Sequence, residues 1–378
     1  MRKILVVIER RADYSRYRPI LQLLRADPSF QLHLVVTGIN LLPGHGGDIE
    51  KIRADGFTVN DTIDMFHAQS PDSGAEMVRG VARVMGGLVD ILEKVKPDLV
   101  LTGFDIGANF AATVAAAHMN IPVAHIQGGE VTGSIDESLR HAMSKFAHLH
   151  FPATDDAKRR LIAMGENPEH IFVVGCPSLD VLVNAPVVPK EELEKRFNVD
   201  FSKPVVILIQ HPVTTESAEA GHQILATLAA LKELQVQTIA ILPNNDAGFS
   251  QIVSSVQSSG LTWYPSLDVE TFANLYRHVW AIVGNSSSGI HEAATFHVPT
   301  VNIGTRQQGR ERPVSVIDVG HNKDEIIAAL KKALFDDDHR RFMKTVVNPY
   351  GDGATAPKVY EILRSVSLDG IIQKKFYE

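Results

Sequence analysis

Short apolar runs recur along the whole chain, and each is followed by a polar turn and a helical pattern. Residues 4–8 form the first run, and residues 204–209 open a second series of the same kind. Apolar runs of strand length without polar alternation are typical of strands that helices cover on both faces of a parallel sheet. The sequence therefore predicts an α/β fold in which strands and helices alternate.

The chain has 378 residues, and chains of this length usually divide into two or more domains, each with its own hydrophobic core. Prolines at 186 and 189 interrupt the strand and helix pattern between the two series. We therefore predict two doubly wound, Rossmann-like domains facing across a cleft, with an N-terminal domain at 1–180 and a C-terminal domain at 181–355. Residues 356–378 form a last helix and a basic tail.

Composition excludes several classes of protein. A net charge of -7 argues against a nucleic-acid partner, since phosphate neutralisation dominates such binding. No apolar run approaches the roughly 18 residues that span a bilayer, which predicts a cytoplasmic protein without a membrane partner. The single cysteine, Cys176, excludes an internal disulfide and a Cys-rich metal site. The glycine-rich dinucleotide fingerprint and the common metal motifs are absent, so we expect no cofactor and no metal.

Acidic side chains gather where the predicted strands of the first half end. Asp105, Glu130, Asp136 and Glu137 all fall at carboxyl ends of strands or in the following loops. Ligands of open α/β sheets bind at these ends, and clustered carboxylates raise one another's pKa values. The cluster therefore predicts acid–base chemistry. Asp136 and Glu137 fit equally well as ordinary acids at a helix N-terminus.

In the second half, residues 280–292 run from an apolar strand through glycines and serines into a helical pattern. Ser286, Ser287 and Ser288 supply hydroxyl donors, while Gly284 and Gly289 let a ligand approach the backbone. Because a helix N-terminus favours anions, this turn predicts a phosphate site. A serine cap on an ordinary helix is the alternative.

A histidine ends the first strand of the second half. His211 follows the apolar run at 204–209 and precedes proline and two threonines. Histidine in this place can donate to a phosphate or relay a proton, and it fits equally well as a packed residue.

Taken in order, these motifs resemble the hydrolysing UDP-N-acetylglucosamine 2-epimerases of sialic acid and nonulosonate biosynthesis. The matching segments are residues 11–15, 128–130, 135–145, 210–215, 243–248, 284–289, 304–306 and 373–376. The resemblance covers nearly the whole chain. It implies the GT-B type of fold, with UDP held mainly by the second domain and the last helix packed back on the first. It also implies a homodimer or homotetramer.

The reaction that this resemblance implies has two steps. A base removes the proton at C2 of the sugar while UDP leaves from C1, and water then adds to the resulting glycal with inversion at C2. The implied catalytic residues are Asp105, Asp136 and His211, with Gln127 and Glu130 beside them. The implied substrate-binding residues are Arg11, Ser15, Asn244, Ser286, Ser287, Ser288, Gly289, Glu292 and Arg306.

The chain departs from the family pattern at two places. Gln127 stands where the family commonly has glutamate, and Ile106 stands where it commonly has arginine. Glu130 and Glu137 are the nearest carboxylates that could take over. The alternatives are therefore the same reaction on UDP-N,N'-diacetylbacillosamine for legionaminic acid synthesis, an impaired enzyme that only binds a nucleotide sugar, or a glycosyltransferase of the same fold.

Overall fold

A computed structural model describes residues 1–42, 48–67, 70, 74–104, 107–132, 135–243 and 248–378, without the side chains of Arg11, Asp48 and Thr214. The chain divides into two compact units. The N-terminal unit comprises Met1–Asp180 and Gly353–Glu378, and the C-terminal unit comprises Val181–Asp352.

The strands of the described residues fall into two sets of six. Those of the N-terminal unit are β1 (Arg2–Ile8), β2 (Phe30–Thr37), β3 (Val59–Ile63), β4 (Leu99–Gly103), β5 (Val123–Ile126) and β6 (Leu149–Phe151). Those of the C-terminal unit are β7 (Val205–Ile209), β8 (Gln237–Ile241), β9 (Thr262–Tyr264), β10 (Ala281–Gly284), β11 (Thr300–Ile303) and β12 (Val316–Val319).

Helices connect these strands. They are α1 (Arg11–Ala26), α2 (Asp48–Ala54), α3 (Gly74–Val95), α4 (Gly107–His118), α5 (Ile135–Phe146), α6 (Asp155–Ala163), α7 (Pro177–Val183), α8 (Lys190–Phe197), α9 (Ala220–Leu234), α10 (Phe249–Ser258), α11 (Val269–Tyr276), α12 (Ser288–His291), α13 (Lys323–Phe335), α14 (Asp337–Met343) and α15 (Thr355–Ser365). Short 3₁₀ turns occupy Gly38–Leu41, Pro168–His170, Thr214–Glu219 and Ala293–Phe296.

Both sheets have the same Rossmann-type order. The first runs β3-β2-β1-β4-β5-β6 and the second runs β12-β11-β10-β7-β8-β9. All strand pairs are parallel; β1, for example, places Ile4 beside Leu32 of β2 and Leu99 of β4. In each sheet the strand order reverses once, between β1 and β4 and between β7 and β10. The crevice beside such a reversal is where ligands of these folds bind.

The apolar runs are buried on both faces, as predicted. Alternate residues of β1, namely Ile4, Val6 and Ile8, pack in one hydrophobic cluster, whereas Leu5 and Val7 pack in another. Helix α1 covers the first face, and α3 with α4 covers the second. Strand β7 behaves in the same way, with successive residues divided between two clusters. This double coverage explains why neither strand alternates with polar residues.

The last helix belongs to the N-terminal unit. Val359 and Leu363 of α15 are fully buried in the cluster that contains α1. The Asp180 carboxylate accepts hydrogen bonds from the backbone N–H groups of Thr355 at 2.9 Å and Ala356 at 2.6 Å, which satisfies donors at the start of α15. In the described residues no helix is long and apolar enough to cross a membrane.

Candidate active site

Two buried carboxylates follow the first strand of the N-terminal unit, one directly after β1 and one in the first turn of α1. Glu9 is 2% exposed, and its Oε2 accepts a hydrogen bond from the Ala108 N–H, near the start of α4, at 2.8 Å. Asp13 is 3% exposed, and its Oδ2 accepts from the Arg10 N–H at 2.9 Å. Burial raises the pKa of Asp13 to about 7, and the neighbouring Glu9 adds to this rise. Sequence reasoning did not single out Glu9 or Asp13, because residues 9–13 contain four charged side chains and nothing local shows which of them become buried.

Strained backbone marks the ends of the next two strands. Phe104, after β4, has φ 70°, and Gln127, after β5, has φ 59°. Each keeps a strand-like hydrogen bond, from Phe104 N–H to the Ile126 carbonyl at 3.0 Å and from Gln127 N–H to the Phe151 carbonyl at 2.9 Å. Left-handed conformations are uncommon in residues other than glycine and concentrate at functional sites. Two of them on adjacent strand ends indicate a functional edge.

Gln127 lies in a buried polar cluster with Glu130 and Cys176. Its Nε2 donates to Glu130 Oε1 at 3.0 Å and contacts Cys176 Sγ at 3.5 Å. Arg140 is also buried and donates to the Glu130 carbonyl at 2.7 Å. Burial raises the pKa of the Cys176 thiol to about 11, with a further contribution from Glu130. The thiol is therefore protonated at neutral pH and is unsuited to act as a nucleophile.

The other predicted residues of this unit are less buried or lie outside the described structure. Asp136 is exposed as the second residue of α5. Glu137 accepts a hydrogen bond from the Thr132 N–H at 2.7 Å, as an acid at a helix N-terminus does. Ser15 donates to the Ala12 carbonyl in its own helix at 2.8 Å. Asp105 and the Arg11 side chain lie outside the described residues, as do Ile106 and, in the C-terminal unit, Asn244.

In the C-terminal unit, Asn285 joins three strand ends. Its Oδ1 accepts from the His211 N–H at 2.7 Å, and its Nδ2 donates to the His211 carbonyl at 2.9 Å. The Asn285 carbonyl accepts from Arg306 Nη1 at 3.2 Å and from Gln307 Nε2 at 2.9 Å. The structure thus brings the predicted residues His211 and Arg306 to the same edge as the serine turn. Sequence reasoning missed the part that Asn285 plays, because its partners are distant in the chain.

The helix after the serine turn is short. Helix α12 is a single turn at Ser288–His291, and a 3₁₀ turn follows at Ala293–Phe296. Because the macrodipole sums over aligned peptides, one turn contributes little field, and the dipole adds only weakly to the predicted phosphate site. Ser286 Oγ accepts from the Ser288 N–H at 3.3 Å, whereas the N-cap residue Ser287 makes no side-chain capping hydrogen bond to the described residues.

The two glycines of the turn have packing reasons for their small size. Gly284 has φ 120°, and a Cβ there would lie 2.1 Å from the Ile209 carbonyl oxygen. A Cβ on Gly289 would lie 2.5 Å from Thr300 Cγ2, where α12 packs on β11. In the described residues, these two glycines therefore let the turn lie close to its own sheet.

Glu292 is held by two hydroxyl groups. Ser288 Oγ donates to Glu292 Oε2 at 2.7 Å, and the Tyr276 hydroxyl lies 3.5 Å from the same oxygen. Burial raises the pKa of Tyr276 well above its ordinary value, and Glu292 adds to this effect. Ser288 therefore orients the carboxylate of Glu292. Ser286 and Ser287, which are also half-buried, are the two serines of the turn that we consider as donors to a phosphate.

His211 is neutral at physiological pH. It is 8% exposed, and burial, followed by the nearby Arg306 charge, lowers its pKa to about 3. A neutral imidazole can donate or accept a hydrogen bond but supplies no counter-charge. The resemblance implies that His211 and Arg306 stabilise phosphate charge; of the two, Arg306 carries a fixed positive charge, whereas the neutral His211 offers a hydrogen bond.

The chain as a whole is similar to a known group of proteins. A UDP-N-acetylglucosamine 2-epimerase model matches residues 22–364. The chain is 36% identical over 383 residues to a UDP-N,N'-diacetylbacillosamine 2-epimerase (hydrolyzing) of Legionella pneumophila, covering 99% of each chain. It is 30% identical to a UDP-N-acetylglucosamine 2-epimerase of Neisseria meningitidis, covering 88% of each chain.

A solved structure has the same fold. The UDP-GlcNAc 2-epimerase from Neisseria meningitidis, bound to UDP-GlcNAc, aligns with a TM-score of 0.83 at 20% identity, covering 96% of this chain and 100% of that one. This likeness confirms the predicted GT-B type of fold with two Rossmann-like domains. The chain belongs to the UDP-N-acetylglucosamine 2-epimerase family.

Proposed function

We propose that this chain is a hydrolysing 2-epimerase that releases UDP and a C2-inverted 2-acetamido sugar from a UDP-2-acetamido sugar. The preferred substrate in this proposal is UDP-N,N'-diacetylbacillosamine. The observation that carries it is the 36% identity, along 99% of both chains, to a Legionella pneumophila enzyme named for that reaction. UDP-N-acetylglucosamine is the second candidate, which the 30% identity to the Neisseria meningitidis relative favours.

The chemistry requires a base, a stabilised leaving group and a water molecule. In the first step a carboxylate takes the proton from C2, and the C1–O bond breaks with its electron pair passing to UDP. In the second step the oxygen of a water molecule bonds to C1 of the glycal, and the water gives up one proton to a basic group. An acidic group adds a proton to C2 on the face opposite to the one that lost its proton in the first step. General acid–base groups contribute about 10²- to 10⁴-fold to such steps.

In this proposal the C-terminal unit holds the nucleotide. Arg306 supplies positive charge to the leaving diphosphate, and Ser286 and Ser287 donate hydrogen bonds to it. His211 donates one hydrogen bond as a neutral imidazole. Glu292, oriented by Ser288 and Tyr276, accepts from a ribose hydroxyl.

The N-terminal unit supplies the proton-transfer groups. Asp105 and Asp136 are the proposed acid and base, and Glu130 is a carboxylate in hydrogen-bond contact with Gln127, whose amide has no titratable proton. Glu130 is 5% exposed, and an amide held against one of its oxygens fixes its orientation. Such preorganisation reduces the cost of reaching the reactive geometry.

The test is release of UDP without any acceptor. The purified chain is incubated in deuterated water with UDP-N,N'-diacetylbacillosamine or UDP-N-acetylglucosamine, and UDP and the free sugar are followed by NMR. We expect a C2-inverted sugar with deuterium at C2, and at least a tenfold higher kcat/KM for the first substrate. Release that requires an acceptor would identify a transferase, and the absence of release would leave a binding protein.

We also propose that the chain forms a homodimer or a homotetramer. Light scattering after gel filtration measures the mass of the assembly and so tests this proposal. A monomer at micromolar concentration would contradict it.

A further inference from the structure

The carboxyl ends of the strands in the N-terminal sheet form what we call the polar edge of this unit. In the described residues, two buried side-chain amide oxygens at this edge lack a hydrogen-bond donor. Gln127 Oε1 and Asn40 Oδ1 have no partner among the described residues, and their side chains are 4% and 2% exposed. Buried polar atoms are nearly always paired, so an unpaired one calls for an explanation. Both oxygens are acceptors, so the described residues of this edge leave two acceptors without donors.

Contacts of the amide nitrogen fix the orientation of the Gln127 side chain. Nε2 donates to Glu130 Oε1 at 3.0 Å and lies 3.5 Å from Cys176 Sγ. Turning the amide over would place Oε1 against a carboxylate oxygen, and two acceptors repel. The unpaired atom is therefore the carbonyl oxygen, an acceptor with no available donor in the described protein.

Asn40 places the second acceptor on the same edge. It lies in the 3₁₀ turn after β2, and its Nδ2 donates to the Ile8 carbonyl, at the end of β1, at 3.5 Å. In the sheet only β4 separates β1 from β5, the strand that ends at Gln127. With adjacent strands about 4.8 Å apart, the two strand ends lie roughly 10 Å apart. The acceptors thus flank the end of β4, where Phe104 has its left-handed backbone.

We propose that Gln127 is a sugar-binding residue whose Oε1 accepts a hydrogen bond from an O–H or N–H group of the bound sugar. This proposal rests on the proposed function. The hydroxyl and acetamido groups of a 2-acetamido sugar are donors of the kind that these two oxygens lack among the described residues. The glutamine offers an uncharged acceptor oxygen beside Glu130, whereas a carboxylate at this place would share a proton with Glu130 while keeping an acceptor oxygen. Gln127 thus discriminates a UDP-sugar from UDP itself.

The test compares UDP with a UDP-sugar that cannot react. The probe is an analogue of whichever candidate substrate the enzyme turns over faster. In this analogue a methylene group replaces the glycosidic oxygen, so UDP cannot leave. Calorimetry measures both affinities for the wild type, Gln127→Met and Gln127→Glu. We expect Gln127→Met to weaken the analogue about tenfold and to leave UDP affinity within twofold, because UDP lacks the sugar donor.

The conservative variant separates the acceptor from the shape of the side chain. Gln127→Glu keeps an oxygen at this place, so it should bind the analogue at least fivefold more tightly than Gln127→Met. Equal weakening of UDP and analogue, unchanged analogue affinity in Gln127→Met, or equally poor binding by both variants would overturn the proposal. Failure of the wild type to bind the analogue or to release UDP would instead refute the proposed function.

Discussion

Asp13 makes the stability of the N-terminal unit depend on pH. Its carboxyl is 3% exposed, and burial raises its pKa from 3.8 to about 7. Between these two values the unfolded chain is ionised while the folded protein holds the proton, so stability falls as pH rises. Above about pH 7 both states are ionised and the loss is constant. At about 1.4 kcal/mol per pH unit, the full loss is about 4 kcal/mol.

The substitution Asp13→Asn removes this titration with little change in shape. The asparagine Oδ1 can still accept the hydrogen bond from the Arg10 N–H, which lies 2.9 Å from the present carboxylate. The variant should therefore gain stability relative to the wild type as pH rises from 5 to 8. We expect the difference in unfolding free energy to grow over this range by about 2 to 3 kcal/mol, because part of the transition lies below pH 5.

Cys176 provides a local assay. It is the single cysteine of the chain, lies in the N-terminal unit and is 1% exposed, so a thiol reagent labels it only after opening. The protein is equilibrated in urea at each pH and given a short pulse of a dipyridyl disulfide, which reacts with thiols even in acid. Mass spectrometry then counts the labelled fraction, from which the unfolding free energy follows.

Asp27→Asn is the matched control. Hydrogen bonds from Ser29 and Tyr360 lower the pKa of Asp27 below 3.8, so its stabilising contribution is present above that value and is lost only as pH falls further. The control should show a constant difference from the wild type between pH 5 and 8. If Asp13→Asn also shows a constant difference, Asp13 is ionised in the folded protein throughout, and the burial argument fails.

Three further predictions follow from the proposed roles. Replacing Ser286 and Ser287 together by alanine should weaken UDP at least tenfold with little change in Tm, because each hydroxyl donates to a charged acceptor; unchanged affinity would leave the turn as a helix cap alone. Asp105→Asn should lower kcat by about 10² to 10⁴ and preserve UDP binding, whereas release of UDP at the wild-type rate would remove Asp105 from the mechanism. Lys374→Met should destabilise the N-terminal unit by about 1 to 2 kcal/mol in the thiol assay, because Lys374 donates to the Ala147 carbonyl at 2.6 Å and shares the buried Glu166 carboxylate with Lys145. The exposed neighbour Lys375→Met is its control, and an equal effect of both variants would contradict this role.

The strands and the fold class were predictable because their signals are local. Unbroken apolar runs such as β1 and β7 require cover on both faces whatever the rest of the chain does, and their alternation with helices leads to doubly wound sheets. The places of His211 and the serine turn at strand ends follow from the same local pattern.

Tertiary structure decided what those residues can do. The neutral state of His211, the joining role of Asn285 and the unpaired oxygen of Gln127 depend on burial and on partners far away in the sequence. The sequence predicted a helix N-terminus after the serines, and only the structure shows that α12 ends after one turn. Hydrophobic periodicity is set by neighbouring residues, and it determined the elements of this protein from the sequence alone. Desolvation and hydrogen bonding are set by residues that only folding brings together, and they decided the chemistry of its site.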